Sequence, residues 1–267
     1  MTYSMAAFDP ATGQLGVVVQ SKAFTVGSMV PWALPGVGAV ATQANVNIHF
    51  GPRGLDLLKE GLAPDQVIER LLADDEGRKV RQIGVVDARG RSANYTGENC
   101  LRWAGALHGE NWTCQGNILT GPRVVEAMAE AYTRASGSLA DRLLAALSAG
   151  QEAGGDARGM QSAALLVVGE NSGHPEGRLI DLRVDDHHAP IEELHRLYHI
   201  HQKLHENWSS EWCDYAGDLV LIAEQLMQMR QIASLQKLAE ALHVPDAIHG
   251  RKISSAFRRA IFEERQK

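Results

Sequence analysis

The sequence predicts an α+β protein in which antiparallel sheets are covered by helical layers. Strand-like and helix-like runs come in groups: three strands, two helices, a few strands, two helices, then two strands. Such grouping favours antiparallel sheets over a regular βαβ repeat. The runs Leu15 to Val19 and Ala163 to Val168 are also continuously apolar, as strands covered on both faces are.

The first two strands flank Asp9-Pro10-Ala11-Thr12-Gly13, where proline presets φ and glycine supplies the positive φ that closes a turn. Leu15 to Val19 is continuously apolar, and Gly36 to Asn45 is a third strand, small and apolar, ending in polar residues. Helical spacing follows in Leu55, Leu58 and Leu62, and again in Val67, Ile68, Leu71 and Leu72 after Pro64. Gln82 to Arg91 and Ser92 to Tyr95 form a hairpin, and Trp112 to Leu119 is a further strand. Helices over Val124 to Arg134 and Leu139 to Gln151 carry the inner faces Val125, Met128, Leu143, Leu144 and Leu147. A glycine-rich polar loop, Gly154 to Ser162, then enters the strand Ala163 to Val168, which pairs with Leu179 to Val184.

A strand that starts beside the initiator methionine draws attention to Thr2, because domain termini fray unless something holds them. Methionine is generally removed when the next residue is small, and removal of Met1 would make Thr2 the amino terminus. An amino-terminal threonine carries a nucleophile and a base together: its hydroxyl, and an α-amine with a reference pKa of ~8. The plainer reading is a β-branched residue opening a strand.

At 267 residues the chain holds one large domain, or one of about 190 residues with a small appendage. A net charge of −6 with no basic face gives no case for nucleic acid. Cys100, Cys114 and Cys213 make neither a disulfide framework nor a zinc ribbon. No basic leader or long apolar run is seen, so a cytoplasmic protein that neither enters nor crosses a membrane is expected. No cofactor is expected. Beyond residue 188 the pattern changes, which predicts domains at 1–188 and 189–267. Pro190 to Glu206 is an amphipathic helix with His195 and His199, and His201 and His205, as i,i+4 pairs. One such pair can chelate a metal, but no further ligands are evident, so no metal site is assigned and a solvated face or a homodimer contact is favoured. Residues 218 to 264 read as three short helices.

Several stretches resemble a bacterial family of unknown function, number 1028: Val19 to Lys22, Gly36 to Gln43, Gly51 to Asp56, Gln115-Gly116-Asn117 and Gly155 to Ala164. That family looks like the N-terminal-nucleophile hydrolases, which implies a four-layer αββα sandwich over residues 1 to about 188. The resemblance implies a catalytic Thr2 attacking an amide carbonyl of a small-molecule substrate. It departs from the wider pattern where an acidic residue would fall near Gln20 and where the third strand lacks a lysine. Lys22 is the substitute candidate, although strand alternation can equally leave it on the surface. Gln43, Asn45 and Asn117 are amides at strand ends, suited either to a substrate carbonyl or to satisfying loops. Asp156 and Arg158 either pair with each other or leave Arg158 to clamp a substrate carboxylate. Gln20, Ser21, Gln161 and Ser162 complete the predicted substrate-binding set. Leu235 to Leu242 with Ala256-Phe257 resembles the three-helix peptidoglycan-binding module attached to some members. The expected function is thus an amidohydrolase acting through Thr2. The alternative is a non-catalytic protein that binds a small molecule or cell-wall fragment on the same sandwich.

Overall fold

The computed structural model describes the backbone of residues 2–170, 172, 174, 176–209, 212–214, 218–244, 248–249 and 252–265, and their side chains outside 205–222, 225, 249, 252, 262 and 265. The chain forms two compact units, Met1–Leu197 and Tyr198–Lys267.

The first unit is a four-layer αββα sandwich. β1 (Thr2–Asp9) and β2 (Gln14–Ser21) form the expected hairpin, with Thr2 opposite Ser21. β3 (Pro31–Leu34), β4 (Gly38–Ala44), β5 (Arg81–Asp87) and β6 (Ser92–Thr96) make a four-stranded antiparallel sheet in that order. β7 (Gly105–Gly109), β8 (Trp112–Asn117), β9 (Ser162–Val168) and β10 (Arg178–Val184) join the first hairpin in a six-stranded sheet, order β10-β9-β2-β1-β8-β7. β1 is therefore central, paired on both sides, which ties down a strand that would otherwise fray.

Helices α1 (Phe50–Lys59) and α2 (Pro64–Ala73) cover the smaller sheet, burying Leu55, Leu57, Val67, Ile68 and Leu71 against Val40, Ile83 and Val85. Pro64 supplies a first helical residue whose missing N–H costs nothing there. α3 (Arg123–Arg134) and α4 (Leu139–Glu152) cover the larger sheet. α4 begins at a capping box: Ser138 Oγ accepts from Asp141 N at 3.2 Å, and Ser138 N donates to Asp141 Oδ2 at 2.9 Å. Between the sheets lies an apolar layer that includes Ala6, Phe8, Leu15, Val17, Val19, Ala39, Ala41 and Val86.

Two strands, β3 and β7, were not predicted. β3 opens with Pro31 and is followed by Pro35, and β7 is bounded by glycines; both lie at sheet edges, where such residues are tolerated. α5 (Pro190–Ser209) contains the division between the units, and its Ile191 and Leu194 are buried. The apolar face expected to hold a second subunit is thus partly used within the chain. His195 shares a 2.9 Å hydrogen bond with Ser148 Oγ, and the side chain of His205 lies outside the described residues. Among the described residues no cluster of three metal-ligating side chains occurs, and no helix is long and apolar enough to cross a membrane.

The second unit contains α6 (Asp218–Met229), α7 (Leu235–Ala241) and α8 (Ser255–Arg265), in the neighbourhood of the three expected helices. It adds a small sheet that was not predicted: β11 (Trp212–Asp214), β12 (Ile248–His249) and β13 (Lys252–Ser254), in the order β11-β13-β12. Ala223, Leu226, Leu238, Ile253, Phe257 and Ile261 form its core.

Close packing of α1 on the smaller sheet leaves no room at Gly38. A Cβ there would lie 2.6 Å from the Val86 carbonyl oxygen and 2.5 Å from Leu58 Cδ1. Gly38→Ala is expected to destabilise the protein by about 1–3 kcal/mol through overpacking, measured as a lower urea midpoint at unchanged m-value.

Candidate functional site

Alternation along the strands divides the space between the sheets into an apolar half and a polar half. On β1, Ala6 and Phe8 enter the apolar layer while Ser4 and Thr2 continue the same face; on β2, Val17 and Val19 are followed by Ser21. Gln43 on β4, Gln82 on β5, and Thr113, Gln115 and Asn117 on β8 supply the rest of the polar half, and all are at most 2% exposed.

These side chains form a continuous network. Gln115 Nε2 donates to Ser4 Oγ at 2.7 Å, and Ser4 Oγ donates to Gln43 Oε1 at 2.6 Å. Gln43 Nε2 donates to Gln82 Oε1 at 2.8 Å and to the Thr2 carbonyl at 3.2 Å. Asn117 Nδ2 donates to the same two acceptors, at 3.0 Å and 3.4 Å. Gln82 Nε2 donates to Thr96 Oγ1, Gly105 O and Gly116 O at 2.9, 3.2 and 2.8 Å. Gln82 thus links both sheets, and Gly84 makes the room that Gln115 occupies, because a Cβ there would overlap its amide. Every member is neutral. An amide both donates and accepts, so such a layer can be completed without burying a charge.

Thr2 sits at the end of this layer. Its Oγ1 lies 3.2 Å from Ser21 Oγ, its carbonyl is held by Gln43 and Asn117, and it is 6% exposed. Two non-glycine residues next to the site adopt positive φ: Ala44, after Gln43, at 68°, and Ile118, after Asn117, at 50°. For a β-branched residue such as Ile118 that conformation is strained, and strain of this kind gathers at functional sites.

The loop after α4 borders the same end. The Asp156 carboxylate is fully buried; its Oδ2 accepts from Lys22 N at 3.0 Å and its Oδ1 from Arg158 N at 2.8 Å. Arg158 Nη2 pairs with Asp156 Oδ2 at 3.4 Å, which is the ion-pair arrangement expected as one of two. Tyr3 donates to Gln151 Oε1 at 3.0 Å, and burial, followed by the charge of Asp156, holds its phenol well above the usual tyrosine range.

Several predicted residues make contacts elsewhere. Lys22 is exposed and its ammonium donates to the Met160 carbonyl at 3.1 Å; among the described residues no hydrogen bond joins it to Thr2. Asn45 is exposed, and its carbonyl accepts from Arg81 at 2.6 Å. Gln161 bonds Asp186 at 3.0 Å, while Ser162 Oγ donates to Ala23 O at 2.6 Å and accepts from Val26 N at 3.1 Å, pinning the chain that leaves β2. Gln20 lies opposite Tyr3, on the strand face where Gly16 meets Leu143 of α4, so alternation turns it away from Thr2. Neither Gln20 side-chain polar atom finds a partner among the described residues. Cys114 is buried, and burial pushes its thiol up to about 12. The residues that sequence reasoning missed are Ser4, Gln82, Gln115 and Thr113. Alternation on β8 puts Thr113, Gln115 and Asn117 on one face, but a polar face in sequence reads as solvent-exposed until the second sheet covers it.

This architecture defines an α+β protein of the four-layer αββα class. The profile of a family of unknown function, DUF1028, matches residues 2–194, and the chain belongs to that family. A solved DUF1028 protein from Silicibacter pomeroyi, SPO2555, is 31% identical with a TM-score of 0.70, covering 82% of this chain and 88% of that one. The Anbu (ancestral beta-subunit) protein from Yersinia bercovieri is 10% identical with a TM-score of 0.33, over 74% of this chain and 93% of that one. No curated protein matches the chain.

Gln82→Leu tests the network. It removes an acceptor from Asn117 Nδ2 and the donor to three oxygens, while Gln43 Nε2 keeps Thr2 O and Gln115 O, so a loss of about 2–4 kcal/mol in unfolding free energy is expected by chemical denaturation.

Proposed function

We propose that this protein is an amide hydrolase acting on a small molecule in the cytoplasm, with Thr2 as nucleophile. The observation that supports this best is the fixation of Thr2: its carbonyl is held by two neutral amides and its hydroxyl lies beside that of Ser21, with no titratable side chain bonded to it among the described residues. The base must then be the α-amine of Thr2 itself, which the reading requires to be free.

In the proposed reaction Thr2 Oγ attacks the amide carbonyl carbon, and the hydroxyl proton passes to the α-amine. The C–N bond breaks as the amine leaving group takes that proton, leaving an ester on Thr2. Water, deprotonated by the same α-amine, then releases the acid and restores the hydroxyl. Ser21 Oγ, at 3.2 Å, orients the attacking oxygen. Gln43 and Asn117 act as positioning residues, because their donors are already committed to Thr2 O and Gln82.

A second reading, a binding protein without catalysis, draws on the low exposure of Thr2 and on the orientation of Lys22 toward Met160. A homodimer, if formed, would use the exposed Ile200 and Leu204 of α5 rather than its buried Ile191 and Leu194.

Screening linear amides, cyclic imides and lactams separates the two readings. Thr2→Val, which keeps the β-branched shape, is expected to lower kcat/KM by roughly three orders of magnitude or more while Thr2→Ser retains part of the activity. Intact mass is expected to show Met1 absent from the active protein. Turnover undiminished in Thr2→Val, or turnover by protein that quantitatively retains Met1, contradicts the assignment.

A further inference from the structure

A cavity of about 410 Å³ lies at the end of the sandwich opposite Thr2. β4 runs from Gly38 at the cavity end to Ala44 at the Thr2 end, a separation of roughly 20 Å at the rise of a strand. Its walls come from the β3–β4 turn, the end of α1 with the loop after it, and the β5–β6 turn.

Val37, Leu58, Leu62 and Ala88 give the cavity apolar walls, and Lys59, Arg89 and Arg91 give it three cations against one lining carboxylate, Asp87, with Glu170 beside Gly36 at its edge. That carboxylate is committed. Asp87 Oδ1 accepts from Arg89 N at 3.0 Å and Arg91 N at 2.9 Å, and Oδ2 accepts from Arg91 Nε at 2.6 Å. The buried Asp87 thereby fixes the turn, whose Gly90 takes φ of 80°, and holds the Arg91 guanidinium and the Arg89 backbone in place before any ligand arrives. Such preorganisation lowers the ordering cost of binding.

Lys59 and Arg89 are exposed, and neither has an ion-pair partner among the described residues. The Arg91–Asp87 contact uses Nε, leaving the outer guanidinium nitrogens of Arg91 without a partner there. Lys59 also offsets the negative end of α1, which would otherwise oppose an anion. The volume is in the range of small-molecule sites.

We propose that this cavity is a second ligand site, for a small dianion such as a dicarboxylate or a phosphoryl group, with Lys59, Arg89 and Arg91 as its counter-charges. The apolar walls favour an organic body on the anion. The site is independent of the Thr2 chemistry and stands whether or not that chemistry is correct.

The test is calorimetric titration of the full chain with succinate and with inorganic phosphate at constant ionic strength, beside a sodium chloride arm. Saturable binding of at least one dianion is expected, with a dissociation constant raised about tenfold or more by Arg89→Ala and by Lys59→Ala, and unchanged by Thr2→Val. Both cationic residues are exposed, and thermal melts of the variants serve to verify folding. Succinate binding alone places a dicarboxylate in the site, and phosphate binding alone a phosphoryl group. Absence of saturation by either up to about 10 mM, equal binding by the cation variants, or equal displacement by chloride overturns the proposal.

Discussion

The neutral amide layer between the two sheets is the constraint on which the candidate site depends. Sheets that face each other normally bury apolar side chains, as these do around Phe8, Val17 and Val86. Toward the Thr2 end they bury Ser4, Gln43, Gln82, Gln115 and Asn117 instead. Each of these groups would cost about 1–3 kcal/mol if left unpaired, so the layer holds only as a completed network. Gln82 completes it, accepting from Gln43 and Asn117 and donating to three oxygens.

Neutrality has a chemical consequence. A layer of charged side chains would fix the protonation of whatever stood beside it, whereas amides orient without titrating. Thr2 is therefore positioned by the sandwich through Gln43, Asn117 and Ser21, and among the described residues no titratable side chain is hydrogen-bonded to its hydroxyl. Asp156 serves the surrounding loop in a similar way, as a fully buried carboxylate holding the N–H groups of Lys22 and Arg158. Positive φ at Ala44 and Ile118 shows that the strands leave the site under backbone constraint.

Much of the fold was legible because its signals are local. The turn at Asp9 to Gly13, Pro64 at the start of α2 and the spacing of Leu143, Leu144 and Leu147 each declare an element without reference to the rest of the chain. The edge strands β3 and β7 were not legible, since proline and glycine mask strands that only sheet pairing reveals. Gln43 and Asn117 were found as strand-end amides, Thr2 as the residue exposed by loss of Met1 and Ser21 through the family resemblance, and the four do come together. Gln20 shows the limit of that reasoning: it adjoins Ser21 in sequence, yet a period of two sends it to the opposite face. Ser4, Gln82 and Gln115 look like surface residues until the second sheet is in place to cover them.

The central claim is that a threonine held by neutral amides relies on its own α-amine as base. The most direct measurement is the pH dependence of covalent labelling of Thr2 by a β-lactone electrophile, followed by mass spectrometry of the amino-terminal peptide. The account predicts a labelling rate that rises through a single ionisation near the α-amine range, about pH 7.5–8, and that vanishes when the amine is acetylated. Labelling that is independent of pH across that range, or that persists on the acetylated protein, would contradict it.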